Sequence, residues 1–146
     1  MKLYIYDHCP YCVKARMIFG LKNIPVELIT LLSDDEETPV RMIGQKMAPI
    51  LQKDDSRYLP ESLDIVHYVD KLDGQPLLTG SRNPKIEEWL RKVNGDVNKL
   101  LIPRFAQAPL DEVSTPLARA SFHAKKEAAI GDFAAHLSHS AGLVQT

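Results

Sequence analysis

Cys9 and Cys12 are the residues of this sequence whose type and spacing point most directly to chemistry. They are its only cysteines, and a disulfide that closes so short a loop would add little stability compared with one joining distant segments. In a reducing compartment, a pair with this spacing indicates redox chemistry or a metal site.

The local sequence predicts different roles for the two thiols. A short apolar run precedes Cys9, and Pro10 suits the first turn of a helix, so Cys9 is expected at the helix cap with Cys12 one turn inside. A helix dipole contributes up to ~2 kcal/mol, and one pKa unit is ~1.4 kcal/mol, so the dipole lowers a thiol pKa by ~1.5 units. Amide hydrogen bonds from Tyr11 or Cys12 would lower it further. We therefore expect Cys9 to be the nucleophile and Cys12 to be the resolving thiol.

A zinc site is the competing interpretation of the cysteine pair. A structural zinc needs four ligands, and only histidines could complete the set: His8, His67, His123, His136 and His139. None of them shows the usual close spacing to another ligand pair, so we predict no metal.

The first seventy residues predict an α/β fold. Lys2 to Tyr6 and Val26 to Leu32 read as strands, with a helix between them that ends near residues 20–23. A short helix ending at Gly44, a hairpin of residues 50–52 and 57–59, and a helix from Glu61 follow. The resulting order, β-α-β-α-β-β-α, is that of the thioredoxin fold.

The rest of the chain predicts helices. Residues 73–83 contain two glycines and a proline, which is typical of a linker. Apolar residues from Ile86 to Leu100 recur at helical spacing, and we expect Pro103 to disturb or end that helix. A second helical region is expected from Pro116 to Leu137. We therefore predict a domain at 1–72, a linker at 73–83 and a helical region at 84–146.

The composition excludes several classes of function. The chain has 146 residues, 45% of them apolar and 25% charged, with a formal net charge of −1 and no long block of one sign. Such a balance does not suit a nucleic-acid binder. The apolar run at residues 1–6 ends at Asp7 and His8, so it is too short for a secretory signal. No later run could span a bilayer, and we therefore expect a cytoplasmic protein without membrane partners.

The segment Cys9-Pro10-Tyr11-Cys12, placed after a strand, resembles the redox motif of glutaredoxins, whereas thioredoxins usually carry Gly-Pro between their cysteines. The wider sequence, from residues 1–8 through 86–95, is similar to the glutaredoxin-2 type of bacterial enzyme. This resemblance implies an all-α C-terminal region like that of glutathione transferases, and glutathione as co-substrate. Because that family continues further, the helical region looks truncated at Thr146, which would leave apolar helix faces exposed or paired between copies.

The resemblance also implies a glutathione site. The bond between Ala48 and Pro49 is expected to be cis, which X-Pro bonds allow, with the Ala48 backbone pairing with the cysteinyl part of glutathione. Glu61 and Ser62 resemble the acidic-Ser motif that holds the γ-glutamyl end at a helix start, although such a pair also suits a plain helix cap.

Three further residues are candidates at this site. The resemblance places Tyr11 in the cleft wall, and Lys46 is a candidate for the glycyl carboxylate or else a solvated lysine. His8 could tune Cys9 electrostatically or be an exposed polar residue.

The leading hypothesis is a monomeric enzyme in which Cys9 reduces glutathione mixed disulfides and, with Cys12, protein disulfides. Its partners would be glutathione and glutathionylated or disulfide-containing proteins. The alternatives are a glutathione transferase, which usually uses Ser, Tyr or one Cys rather than a pair, and a non-enzymatic glutathione-binding redox module.

Overall fold

A computed structural model describes residues 1–145. Its first half is a four-stranded sheet in the order β2-β1-β3-β4, with β1 parallel to β2 and the other pairs antiparallel. The elements are β1 (Lys2–Ile5), α1 (Pro10–Leu21), β2 (Glu27–Thr30), α2 (Glu37–Ile43), β3 (Ile50–Gln52), β4 (Tyr58–Pro60) and α3 (Ser62–Asp70). The predicted thioredoxin-like order is thus confirmed.

The second half is all-α, as predicted. It comprises α4 (Pro84–Phe105), a short 3-10 helix (Asp111–Val113), α5 (Pro116–Ile130), α6 (Phe133–Ser138) and α7 (Ser140–Val144). Within residues 1–145, no helix combines the length and apolarity needed to cross a membrane.

Each half has its own hydrophobic cluster. In the first half the sheet packs on α1 and α3, because alternate strand residues such as Leu3 and Ile5 face the buried sides of these helices, where Cys12 and Ala15 also lie. In the second half Phe122 and Phe133 pack with Ile102, Ala106 and Val113. Burying one such large apolar side chain contributes about 1.5–3 kcal/mol.

Asp70 and Lys22 fix the start of the segment that joins the halves. The buried Asp70 carboxylate accepts hydrogen bonds from the amides of Leu77 (2.8 Å) and Leu78 (3.1 Å). Lys22 is the C-cap residue of α1, and its Nζ donates to the Asp73 carboxylate (2.7 Å) and to the carbonyl of Gln75 (2.6 Å). Residues 73–78 are therefore held against the sheet-containing half.

The helix of residues 84–105 differs from expectation at Pro103, because α4 continues through this proline to Phe105. A proline removes one backbone hydrogen bond, and here the loss falls in the last turn, where Ile102 and Phe105 pack into the second cluster. Near the start of α4, several residues of the predicted apolar stripe are exposed to solvent, among them Ile86 and Leu90, as is the neighbouring Trp89.

The predicted helical region from Pro116 to Leu137 is present, but it consists of two helices that are separated at Gly131. That glycine has φ +93°, a conformation that favours glycine, and it ends α5. The Asp132 carboxylate then accepts a hydrogen bond from the amide of Ala135 (2.6 Å) and caps α6.

Candidate functional site

Cys9 and Cys12 lie where β1 gives way to α1. Cys9 is the N-cap residue with an extended backbone (φ −78°, ψ 118°), Pro10 is the first helical residue, and Cys12 is fully buried one turn further on. The backbone amide of Cys9 donates to the Tyr6 carbonyl (3.2 Å), and the Cys9 carbonyl accepts from Val13 (3.0 Å). Both thiols are free, and the Cys9 side chain is partly exposed while that of Cys12 is not.

The two thiols differ in acidity because of their surroundings. Interaction with the Cys12 thiol lowers the pKa of Cys9 to about 6; burial opposes this shift, while the amides of Cys12 and Tyr11 and the charge of His8 add to it. The same contact with Cys9, together with burial, raises the pKa of Cys12, although the Tyr6 amide donates to its sulfur (3.4 Å). The arrangement therefore presents a thiolate at Cys9 and a protonated thiol at Cys12 near pH 7.

The sheet register brings other candidate residues to the same edge. Tyr4 pairs with Ile50 and Ile50 pairs with Pro60, so the residues just beyond these pairs, Ala48-Pro49 and Glu61, lie next to the end of β1 that leads to Cys9. The Ala48-Pro49 bond is cis, as predicted.

Two clefts flank Cys9. The first, which we call the basic cleft, has a volume of about 350 Å³, and its lining includes Cys9, Ala48 and three lysines: Lys46, Lys125 and Lys126. The second, the apolar cleft, has a volume of about 490 Å³ and lies between Tyr11 and the exposed face of α4. Its further walls include Trp89, Leu90, Val93, Val97 and Leu101.

Lys46 lines the basic cleft but already has partners. Its ammonium donates to the Ser33 carbonyl (2.6 Å) and lies 3.5 Å from Glu36, which also accepts from Lys125 (2.5 Å). Burial and the nearby Lys125 charge lower the pKa of Lys46. An anion in this cleft would therefore meet two ammonium groups that share one carboxylate.

Tyr11, Glu61 and Ser62 have different settings. The Tyr11 ring is 56% exposed, faces the apolar cleft, and has Lys14 Nζ 5.2 Å from its centroid. Ser62 is buried at the start of α3, and Glu61 is exposed with φ +70°, a conformation sparsely populated by residues other than glycine. Neither Glu61 nor Ser62 is among the described residues that line the basic cleft or the apolar cleft.

Two features of the site escaped sequence reasoning. The Tyr6 hydroxyl is buried at the basic cleft without a hydrogen-bond partner in residues 1–145, and burial raises its pKa to about 12. His8 is not an exposed polar residue, because Nδ1 contacts the buried carboxylate of Glu112 at 2.7 Å. Nothing local in the sequence indicates a pairing across 104 positions.

No group of three or more His, Cys, Asp or Glu side chains suited to a metal ion occurs in the part of the chain that the structure describes.

Comparison with known proteins gives two family matches. Residues 3–77 match the family described as "Glutathione S-transferase, N-terminal domain", and residues 85–146 match "Glutaredoxin 2, C terminal domain". Glutaredoxin 2 of Escherichia coli K12 is 74% identical over 145 residues, which cover 99% of this chain and 67% of that protein.

Solved structures agree with these matches. Glutaredoxin 2 from Salmonella typhimurium, crystallised in complex with glutathione, superposes with a TM-score of 0.95 at 76% identity, covering 99% of this chain and 66% of that one. A glutathione S-transferase from Xanthobacter autotrophicus Py2 shares the fold, with a TM-score of 0.57 at 18% identity over 99% of this chain and 66% of its own. The chain thus spans about two thirds of the length of these relatives.

Proposed function

Because this chain belongs to the glutaredoxin 2 family, we propose that it is a glutathione-dependent thiol–disulfide oxidoreductase whose nucleophile is Cys9. The observation that carries the proposal is the partly exposed sulfur at the start of α1, where Cys12 and two helix amides lower the pKa of Cys9 to about 6. A cleft with a volume of about 350 Å³ lies beside this sulfur.

In the proposed reaction, the Cys9 thiolate attacks the glutathione sulfur of a protein–glutathione mixed disulfide. A Cys9–glutathione disulfide forms, and the protein thiolate leaves and takes up a proton. A second glutathione, as thiolate, attacks the bound glutathione sulfur, which releases glutathione disulfide and restores Cys9. The low pKa of Cys9 raises its thiolate population in the first step and makes it the better leaving group in the second.

Protein disulfides would follow a dithiol route. The Cys12 thiol contacts Cys9 and is shielded from solvent, so it would resolve a Cys9–substrate disulfide from inside rather than compete as the attacking group.

Glutathione is proposed to bind along the sheet edge. The Ala48 backbone before cis Pro49 would pair with the cysteinyl unit, and Ser62 with the amides at the start of α3 would receive the γ-glutamyl carboxylate, whose ammonium would pair with Glu61. The register of β3 and β4, which sets Pro49 beside Glu61, supports this placing. Lys46 would attract the glycyl carboxylate, and Tyr11 would cover the bound sulfur.

We further propose that residues 1–72 form the catalytic domain, 73–83 the linker and 84–146 a helical domain, in a monomeric cytoplasmic protein. The two separate hydrophobic clusters support the division.

Glutathione-coupled reduction of hydroxyethyl disulfide tests the proposed function. We expect activity in the wild-type chain, its loss in Cys9→Ser, and retained deglutathionylation in Cys12→Ser with loss of protein-disulfide reduction. Activity that survives in Cys9→Ser would contradict the assignment of the nucleophile. A parallel chlorodinitrobenzene assay separates this function from that of a conjugating transferase.

A further inference from the structure

Glu112 is a buried carboxylate that reaches from the helical half to the residue before the nucleophile. It lies in the 3-10 helix Asp111–Val113, and its side chain is fully inaccessible to solvent. Its Oε1 accepts hydrogen bonds from both the backbone amide (2.9 Å) and Nδ1 (2.7 Å) of His8. Its own carbonyl accepts from the amide of Ser33 (2.7 Å), so the same residue also holds the loop after β2.

The His8 ring is fixed on its other sides by aromatic residues. Phe122 meets it edge-on at 5.0 Å between centroids, Phe105 lies at 5.6 Å and Tyr6 at 6.0 Å. Because Nδ1 donates to the carboxylate, Nε2 is the nitrogen left for the clefts, and His8 lines both of them beside Cys9.

We propose that Glu112 is a positioning residue for Cys9: by binding the backbone and ring of His8, it fixes the loop that presents the reactive sulfur and holds the imidazole next to it. This inference rests on the proposed function, since it assigns a further residue to the same nucleophile. A buried carboxylate is unfavourable unless it is paired, so the contact also forces the two halves of the chain to meet at the site.

The charges around the pair fit this role. His8 is among the groups that lower the pKa of Cys9, whereas Glu112 acts on Cys12 and Tyr6, whose pKa values it raises. Lys126, from α5, lines both clefts and contributes a further positive charge on this side.

The test is the pH profile of Cys9 alkylation by iodoacetamide, followed by mass spectrometry of the peptide that contains Cys9. Glu112→Gln keeps the shape and an acceptor but removes the charge that strengthens the hydrogen bonds to the His8 amide and ring, and we expect the midpoint to rise by about 0.5–1 unit. Asp111→Asn, at an adjacent exposed carboxylate, is the matched control and should leave the midpoint unchanged. Circular dichroism verifies that each variant is folded.

His8→Asn provides an independent arm if Glu112→Gln does not fold. It should raise the midpoint by a similar amount, and the double variant should shift it no further than either single one, because the two residues act as a unit. An unchanged midpoint in a folded Glu112→Gln or His8→Asn variant, or additive shifts, would overturn the proposal. A wild-type midpoint near 9 would overturn the proposed function as well, which distinguishes the two failures.

Discussion

Replacing Cys12 by Ala tests the origin of the acidity of Cys9. The Cys12 thiol is the largest of the causes that lower the pKa of Cys9 from 9.0 to about 6. A hydrogen bond to a charged group is worth about 1.5–3 kcal/mol, which corresponds to about 1–2 pKa units. In Cys12→Ala we therefore expect the pKa of Cys9 to rise to about 7–8.

The rate of alkylation with iodoacetamide measures this change in two ways. At pH 6 the thiolate fraction falls from about one half to about 1–9%. Each remaining thiolate is about 3–8-fold more nucleophilic, since nucleophilicity rises with pKa with a Brønsted slope of about 0.4–0.5. The net rate should fall about 2–6-fold at pH 6 and rise about 3–8-fold at the alkaline plateau, so the two profiles cross.

Cys12→Ser is the matched control, because it keeps a hydroxyl donor at the same position. Its midpoint should lie between those of the wild type and Cys12→Ala. Should the Cys12→Ala profile coincide with that of the wild type, the helix amides alone would account for the acidity, and the reasoning from the thiol contact would be refuted.

Four other predictions concern binding and stability. Ser62→Ala should raise the KM for glutathione about tenfold, measured in the coupled assay, because a charged ligand group loses one donor. Phe122→Ala should lower the free energy of unfolding by about 3–5 kcal/mol in urea titrations, because the ring is 2% exposed in the second cluster. Burial would raise the pKa of Glu112, but the hydrogen bonds from His8 outweigh it and lower this pKa from 4.5. The carboxylate therefore stabilises the fold above pH 4.5, and the stabilisation is lost as pH falls through the lowered value. As pH falls from 6 to 3, the urea midpoint should decline more steeply in the wild type than in Glu112→Gln. Asp70→Asn should lower the urea midpoint and speed proteolytic cleavage in residues 73–83, and unchanged cleavage would contradict the role of Asp70 in holding that segment.

Local signals explain how much of the fold and site was predictable. Gly44 ends α2 with φ +80°, and the turn before Tyr58 joins β3 to β4, both as expected from residues with strong backbone preferences. The Cys9-Pro10 step likewise fixes the helix start, because proline favours the first turn. The element order of the first half was predictable because its elements carry local start or stop signals.

Long-range pairing explains what was not predictable. The contact of His8 with Glu112 joins positions 104 residues apart, and only the packing of the helical half on the site creates it. The division of the second helical region at Gly131 was not predicted, although Gly-Asp is a usual end-and-cap signal, because the alanine-rich sequence around it favours helix on both sides. Pro103 was expected to disturb or end the helix, and α4 ends at Phe105, two residues further on, with Pro103 in its last turn.

The anchoring of the joining segment limits how the two halves can separate. Since Asp70 and Lys22 fix residues 73–78, only residues 79–83 are left to act as a pivot. Five residues reach at most about 17 Å when fully extended. Any separation of the two halves at this segment is therefore limited to about that distance, which restricts how far the clefts beside Cys9 could widen.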